Sequence, residues 1–193
     1  MSHFRQTRMR WDGQHRWMTI YTTWESPLCE LLLVGERTAS GVAVSAISMA
    51  GGRRTAVSPG WTPDAEAFGP VVEQLEGYFT GERRTFELDY AVPGTDFQQR
   101  VWRVLDEIPY GTIVTYRDIA EEIGAPRSVR AVGAANGANP LMIVRPCHRV
   151  IGRDGSLHGY AGGLERKRQL LDLESRGSTI TSARGAGSGS DAG

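Results

Sequence analysis

The chain holds two cysteines, Cys29 and Cys147, and only the second sits among groups that could make it react. It lies in Pro146-Cys147-His148-Arg149-Val150, with Arg145 on the other side of the proline. A buried cysteine is ordinarily a small hydrophobe. Nearby positive charge or a neighbouring base instead favours the thiolate, the nucleophilic form, against a free thiol that titrates near about 8.5. The chemistry expected of Cys147 is attack by sulfur on an electrophilic atom. A base next to a nucleophile needs something to orient it, and the last helix offers a carboxylate. On the arc set by Leu164, Leu170, Leu171 and Leu173, Glu174 points inward. A carboxylate facing a core is costly unless paired, which nominates His148 or an arginine as partner, with a frayed, solvated last turn as the alternative. Before that helix, Gly159-Tyr160-Ala161-Gly162-Gly163 is a loop able to set backbone N–H groups against a ligand.

The elements that must place these residues fall into two groups. In the first half, Met18–Trp24, Glu30–Val34 and Val42–Ser48 read as strands with turns at Ser26-Pro27 and Gly35. Phe68, Val72, Leu75 and Phe79 follow helical spacing up to a stop at Gly81, and Thr85–Tyr90 reads as a closing strand. Pro93-Gly94 marks a boundary. The second half is mostly helical. Thr95 caps a helix whose face is Phe97, Val101, Leu105 and Ile108, and Pro109-Tyr110-Gly111 ends it. A short strand, Thr112–Val114, precedes a helix over 116–123 that stops at Gly124, and a third helix runs from Arg127 to Asn136. Helix, glycine turn, helix is the outline of a helix-turn-helix. The expected fold is α+β in two domains, an antiparallel sheet with a helix over 18–92 and a helical domain over 93–176. A polar extension (1–17) and a Gly/Ser-rich tail (177–193) flank them.

Formal charge is balanced, with 22 basic and 22 acidic residues, so global charge names no partner. The basic residues are arginines except Lys167, and Arg127, Arg130, Arg145, Arg149, Arg153, Arg166 and Arg168 gather in the second half. Arginine's planar fork suits phosphate oxygens. The first 18 residues carry four arginines and no continuous apolar run, so no secretory signal is expected, and no stretch approaches the roughly 20 apolar residues of a membrane span. With no disulfide framework, a cytoplasmic location is expected. His3, His15 and Cys29 form no recognisable metal cluster, and no metal is expected.

Taken in order, Thr95-Asp96-Phe97-Gln98, Ile108-Pro109-Tyr110-Gly111, Thr115-Tyr116-Arg117-Asp118-Ile119-Ala120, Arg130-Ala131-Val132-Gly133, Asn139-Pro140, the Cys147 pentapeptide and the Gly159–Gly163 loop resemble the O6-alkylguanine-DNA alkyltransferases. The resemblance covers about residues 95–175 with specific motifs and the first half more weakly. It implies an RNase H-like first domain and irreversible, single-turnover transfer of an alkyl group from O6-alkylguanine to Cys147 after base flipping, with no cofactor. His148 would be the base, Glu174 its orienting group, Tyr116 the proton donor to the leaving guanine, and Asn139 the brace of the turn. Arg130, with Ala131, Gly133, Arg127 and Arg149, would contact double-stranded DNA from the minor groove. Tyr160, Ala161, Val150 and Gly162 would line the base pocket. A monomer is expected, with cooperative assembly on DNA as an alternative. Arg145 departs from the family, many members of which carry an apolar residue there; a phosphate contact and simple exposure are its two readings. Damage-flagging relatives lack the acceptor cysteine, and a cysteine hydrolase or thiol sensor would leave the helix-turn-helix unexplained.

Overall fold

The computed structural model describes residues 5–6, 18–39, 41–52, 56–90, 92–176 and 181–182. Three long strands, β2 (Thr19–Glu25), β3 (Glu30–Thr38) and β4 (Gly41–Met49), form an antiparallel meander. Short strands complete a six-stranded sheet in the order β1-β6-β4-β3-β2-β5, with β1 at Arg5–Gln6, β5 at Thr62–Pro63 and β6 at Asp89–Tyr90. The sheet is therefore mixed where the sequence suggested antiparallel pairing throughout. Between β4 and β6 the chain crosses over through helix α1 (Gly69–Thr80), and a crossover brings the next strand in parallel. Only the last two residues of the expected 85–90 strand pair.

β3 is central and buried on both faces from Leu31 to Gly35. Gly35, expected to turn the chain, lies inside this strand at a register shift. A Cβ there would come within 2.6 Å of Val42 Cγ2 and 2.7 Å of the Ala43 carbonyl, so glycine permits a bulge where the strands close up. On α1 the inward stripe is Phe68, Val71, Leu75 and Tyr78, one step round from the expected face, with Val72 and Phe79 half-buried at its edges. Gly81, at φ 80°, ends the helix.

In the second half, α2 (Asp96–Glu107) and α3 (Tyr116–Glu122) both start with a capping box, Thr95 with Gln98 and Thr115 with Asp118. Strand β7 (Thr112–Thr115) runs into α3, which ends before Gly124. Helix α4 (Val129–Gly137) begins two residues later than expected, because Pro126 and Arg127 belong to the turn. A single 3₁₀ turn spans Cys147–Arg149 and leads into β8 (Val150–Ile151), which pairs with β7. The last helix is α5 (Leu164–Arg176); β9 (Thr181–Ser182), in the segment read as tail, also pairs with β7. The two halves share one core. The Ile47 N–H donates to the Pro140 carbonyl at 2.8 Å, and the Met142 N–H donates to the Ile47 carbonyl at 3.1 Å. The segment leading to Cys147 thus pairs with β4. No described helix is long and apolar enough to cross a membrane.

Candidate active site

The approach to Cys147 is a sequence of tight turns with little room to vary. The Val144 N–H bonds the Met142 carbonyl at 2.9 Å, closing a three-residue turn around Ile143 at φ 72°. Positive φ is unusual for a β-branched residue and persists only where surroundings enforce it. Asn139 does much of that enforcing. Its side-chain amide donates to the carbonyls of Arg145 (3.0 Å) and Leu141 (3.3 Å), and its oxygen accepts from the Leu141 N–H (3.0 Å). Pro146 then bends the chain so that the Cys147 N–H reaches the Arg145 carbonyl at 2.8 Å. From α4, the buried Asn136 amide approaches the Cys147 carbonyl at 3.4 Å.

Cys147 is 4% exposed and His148 fully buried. Burial pushes the Cys147 thiol up, against hydrogen bonding by Asn139 and the positive charges of Lys167 and Arg145, which pull it down. The net direction is upward, which favours the thiol form and works against the flanking positive charge that the sequence pointed to. Burial likewise lowers the pKa of His148, against the hydrogen bond and charge of Glu174. His148 Nε2 lies 2.9 Å from Glu174 Oε1. Burial works against the Glu174 carboxylate, but hydrogen bonds and charge from His148 and Arg149 outweigh it and hold the group well below the usual carboxylate range. An ionised carboxylate only accepts. The neutral imidazole must therefore carry its proton on Nε2, leaving Nδ1 as a buried lone pair with no partner among the described residues. Such a nitrogen is a base with nothing yet to accept from.

Glu174 is the hub. It also accepts from the Tyr78 hydroxyl (2.8 Å), the Gly111 N–H (3.1 Å) and Arg149, whose Nε and Nη2 each lie at 2.9 Å. Arg149 is 5% exposed and further bonded to the Ile108 carbonyl. Read from sequence as a DNA contact, it is a core partner of Glu174, since its donors are directed inward. The inward face of α5 is Lys167, Leu170 and Glu174, while Leu164 is 48% exposed.

Lys167 is the residue sequence reading missed. Fully buried, it donates from Nζ to the carbonyls of Val150 (2.6 Å) and His158 (2.9 Å). Desolvation lowers its pKa to about 8, and charge on Cys147 would raise it. A sole lysine three and seven residues before Leu170 and Glu174 was a signal available in the sequence. Its ammonium also lies 5.9 Å from the Tyr116 ring centre. Burial and the nearby Cys147 sulfur raise the Tyr116 phenol, which keeps its proton and reaches the His158 carbonyl at 3.4 Å. Val150 and Gly162 are buried, Ala161 is half-buried, and the buried Tyr160 hydroxyl has no partner among the described residues. A cleft of about 610 Å³ lined by Arg84, Tyr90, Asp106, Tyr110 and Arg149 does not include Cys147.

The outer face of α4 and the turn before it is basic and open. Arg127, Arg130 and Ala131 are exposed, and neither arginine is held by a side-chain hydrogen bond or ion pair among the described residues. Its inner face, Val132, Ala135 and Asn136, is buried, and the Trp102 indole donates to the Ala135 carbonyl at 2.9 Å. Gly133 lets α4 approach the Tyr116 ring, 4.0 Å from where a Cβ would stand.

A buried cysteine next to a Glu-paired histidine, set behind a helix-turn-helix and a mixed sheet, is the arrangement expected of the class of cysteine-dependent transferases that work on DNA. Family models agree at both ends of the chain. Residues 19–91 match the ribonuclease-like domain of 6-O-methylguanine DNA methyltransferase, and residues 96–176 match its DNA-binding domain. The chain belongs to that family. A methylated-DNA–protein-cysteine methyltransferase of Mycobacterium tuberculosis is 48% identical over 157 residues, 81% of this chain and 93% of the relative. One from Methanosarcina acetivorans is 46% identical over 80% of this chain and 97% of its own. Among solved structures, Mycobacterium tuberculosis OGT in complex with DNA superposes with a TM-score of 0.75 at 46% identity, covering 82% of this chain and 94% of that one.

Proposed function

We propose that this chain repairs DNA by moving an alkyl group from O6-alkylguanine to its own Cys147, once per molecule. The observation that carries this is the buried His148–Glu174 pair next to Cys147 in the chain, with the Nδ1 of His148 unpartnered among the described residues and an exposed basic face on α4. In the reaction the Cys147 proton passes to His148 Nδ1, through a water. The sulfur forms a bond to the alkyl carbon as the bond from that carbon to O6 breaks, and the departing guanine takes a proton from Tyr116. The product is a thioether, a poor leaving group at neutral pH, so turnover stops at one.

The damaged base must leave the stack, at a cost of a few kcal/mol. Cys147 is nearly closed over, so admission of a base requires opening around the sulfur, between Tyr116 and Tyr160. We place α4 in the minor groove with Arg130 filling the vacated stack. Arg127 contacts phosphate, so affinity falls with salt. The protein acts as a cytoplasmic monomer, a reading supported by two free thiols and an active site built within one chain. Incubation with an O6-methylguanine duplex, followed by intact mass and peptide mapping, tests the core of this. One methyl group is expected on the Cys147 peptide, and Cys147→Ala should bind the duplex yet transfer nothing. Removal of the methyl group by the alanine variant would defeat the assignment.

A further inference from the structure

Arg145, read from sequence as a phosphate contact or a solvent-exposed side chain, is neither, because its fork is turned inward onto Asp106. It is 2% exposed. Its Nε and Nη2 form a two-pronged pair with Asp106 on α2, at 2.8 Å and 3.0 Å. Its guanidinium carbon lies 5.1 Å from the Trp102 ring and 5.3 Å from the Tyr90 ring, and the Tyr90 hydroxyl donates to the same Asp106 at 3.2 Å. Tyr90 comes from β6 in the first half of the chain and Trp102 from α2 in the second. Arg145 is also the hinge residue between the two tight turns, one centred on Ile143 and one on Pro146, and its carbonyl receives both Asn139 and the Cys147 N–H.

We propose that Arg145, with Asp106 as counter-ion, is a positioning residue for the acceptor cysteine. The planar fork fixes the Ile143–Pro146 turns against α2 and β6, and the guanidinium keeps a positive charge behind the sulfur. This goes beyond the repair reading, and the probe below does not depend on it. The charged and titratable groups around Cys147 are Lys167 from α5, Tyr116 from α3, Tyr160 from the loop before α5, and Arg145 and His148 on its own segment. Asp106 from α2 partly offsets Arg145.

The test follows modification of Cys147 by iodoacetamide against pH in a Cys29→Ser background, read by intact mass, beside single-turnover reaction with free O6-benzylguanine. Removing one partner of a buried pair strands the other, whereas replacing both with apolar residues often leaves stability intact. The double variant Arg145→Met/Asp106→Leu is therefore expected to keep its melting temperature. Its iodoacetamide profile should move to higher pH, and both reactions should slow at least 5-fold. Arg145→Lys keeps a charge without the fork; it should fold and slow both reactions, and it decides the matter if the double variant does not fold. Wild-type rates and an unmoved pH profile in a folded variant would overturn the proposal. Loss of repair activity in the wild type would not, because the iodoacetamide readout stands apart from it.

Discussion

Replacing Glu174 with glutamine changes one atom, yet the structure predicts a large effect because all the side chain's neighbours are donors. Oε1 accepts from Tyr78, His148 and Arg149 Nη2, and Oε2 from Gly111 and Arg149 Nε. An amide NH₂ set in place of Oε2, the milder choice, faces two donors and no acceptor. A stranded buried donor costs about 1–3 kcal/mol, and leaving a buried charge without its partner costs about 3–5 kcal/mol. These overlap for Arg149, so the expected loss is about 4 kcal/mol. For a chain of this size that lowers the melting temperature by about 8–16 °C. Urea titration followed by circular dichroism at several pH values is the assay. The Glu174 pKa is depressed on folding, so its contribution is complete above the unfolded value, near 4.5, and is lost as pH falls towards the folded one. The gap between wild type and Glu174→Gln should therefore be widest near neutrality and close in acid. Repair should slow by about 10²-fold or more, since a neutral amide no longer supplies the negative charge that stabilises the imidazolium formed as His148 takes the Cys147 proton. A variant within 1 kcal/mol of wild type at neutral pH, or a gap that ignores pH, would refute the donor-only shell.

Three further outcomes are expected. Arg130→Ala should weaken repair of duplex DNA far more than reaction with free O6-benzylguanine, as compared by single-turnover kinetics; equal losses would remove Arg130 from the DNA face. Lys167→Met removes a buried amine whose pKa falls from 10.5 to about 8 on folding. The amine's contribution is complete above the unfolded value and lost as pH falls through about 8. Wild type should thus gain on the variant between pH 8 and 9, by up to about 1 kcal/mol in chemical denaturation. Gly162→Ala places a Cβ 2.5 Å from Met49 Sδ and 3.0 Å from the Tyr160 ring, and should cost about 1–3 kcal/mol in thermal or urea unfolding while slowing reaction with O6-benzylguanine.

What the sequence disclosed was what a few neighbouring residues decide. Thr95 with Gln98, Thr115 with Asp118, and the stops at Gly81 and Gly124 are local devices, and each helix they bound was visible within a residue or two. The acceptor segment was legible because its chemistry is contiguous. Partners far apart in the chain were legible only where a buried charge demanded one. The inward Glu174 called for His148 or an arginine, but nothing singled out Arg149, which was assigned to DNA. Nothing near Arg145 points to Asp106, 39 residues away. Gly35 looked like a turn because a bulge is set by the neighbouring strand, here Val42 and Ala43, and not by its own flanks. The α5 face was misjudged through ranking lysine as exposed, the usual case, although the spacing of Lys167, Leu170 and Glu174 shows the true inward stripe.

The first half of the chain supplies none of the reacting groups, yet the site could not keep its shape without it. Tyr78 of α1 closes the Glu174 shell, Ile47 of β4 pairs with the strained approach to Cys147, and Tyr90 of β6 flanks Arg145. Each contact acts on a different member of the acceptor apparatus: the carboxylate, the backbone turn and the charge behind the sulfur. Losing the sheet would expose Glu174 to water, where a solvated carboxylate no longer dictates which imidazole nitrogen holds the proton. It would also release Ile143 from a backbone conformation that a β-branched residue does not hold unaided. The DNA-binding half therefore carries the reacting groups without the means to keep them aligned, and the sheet is part of the catalyst, not a spacer beside it.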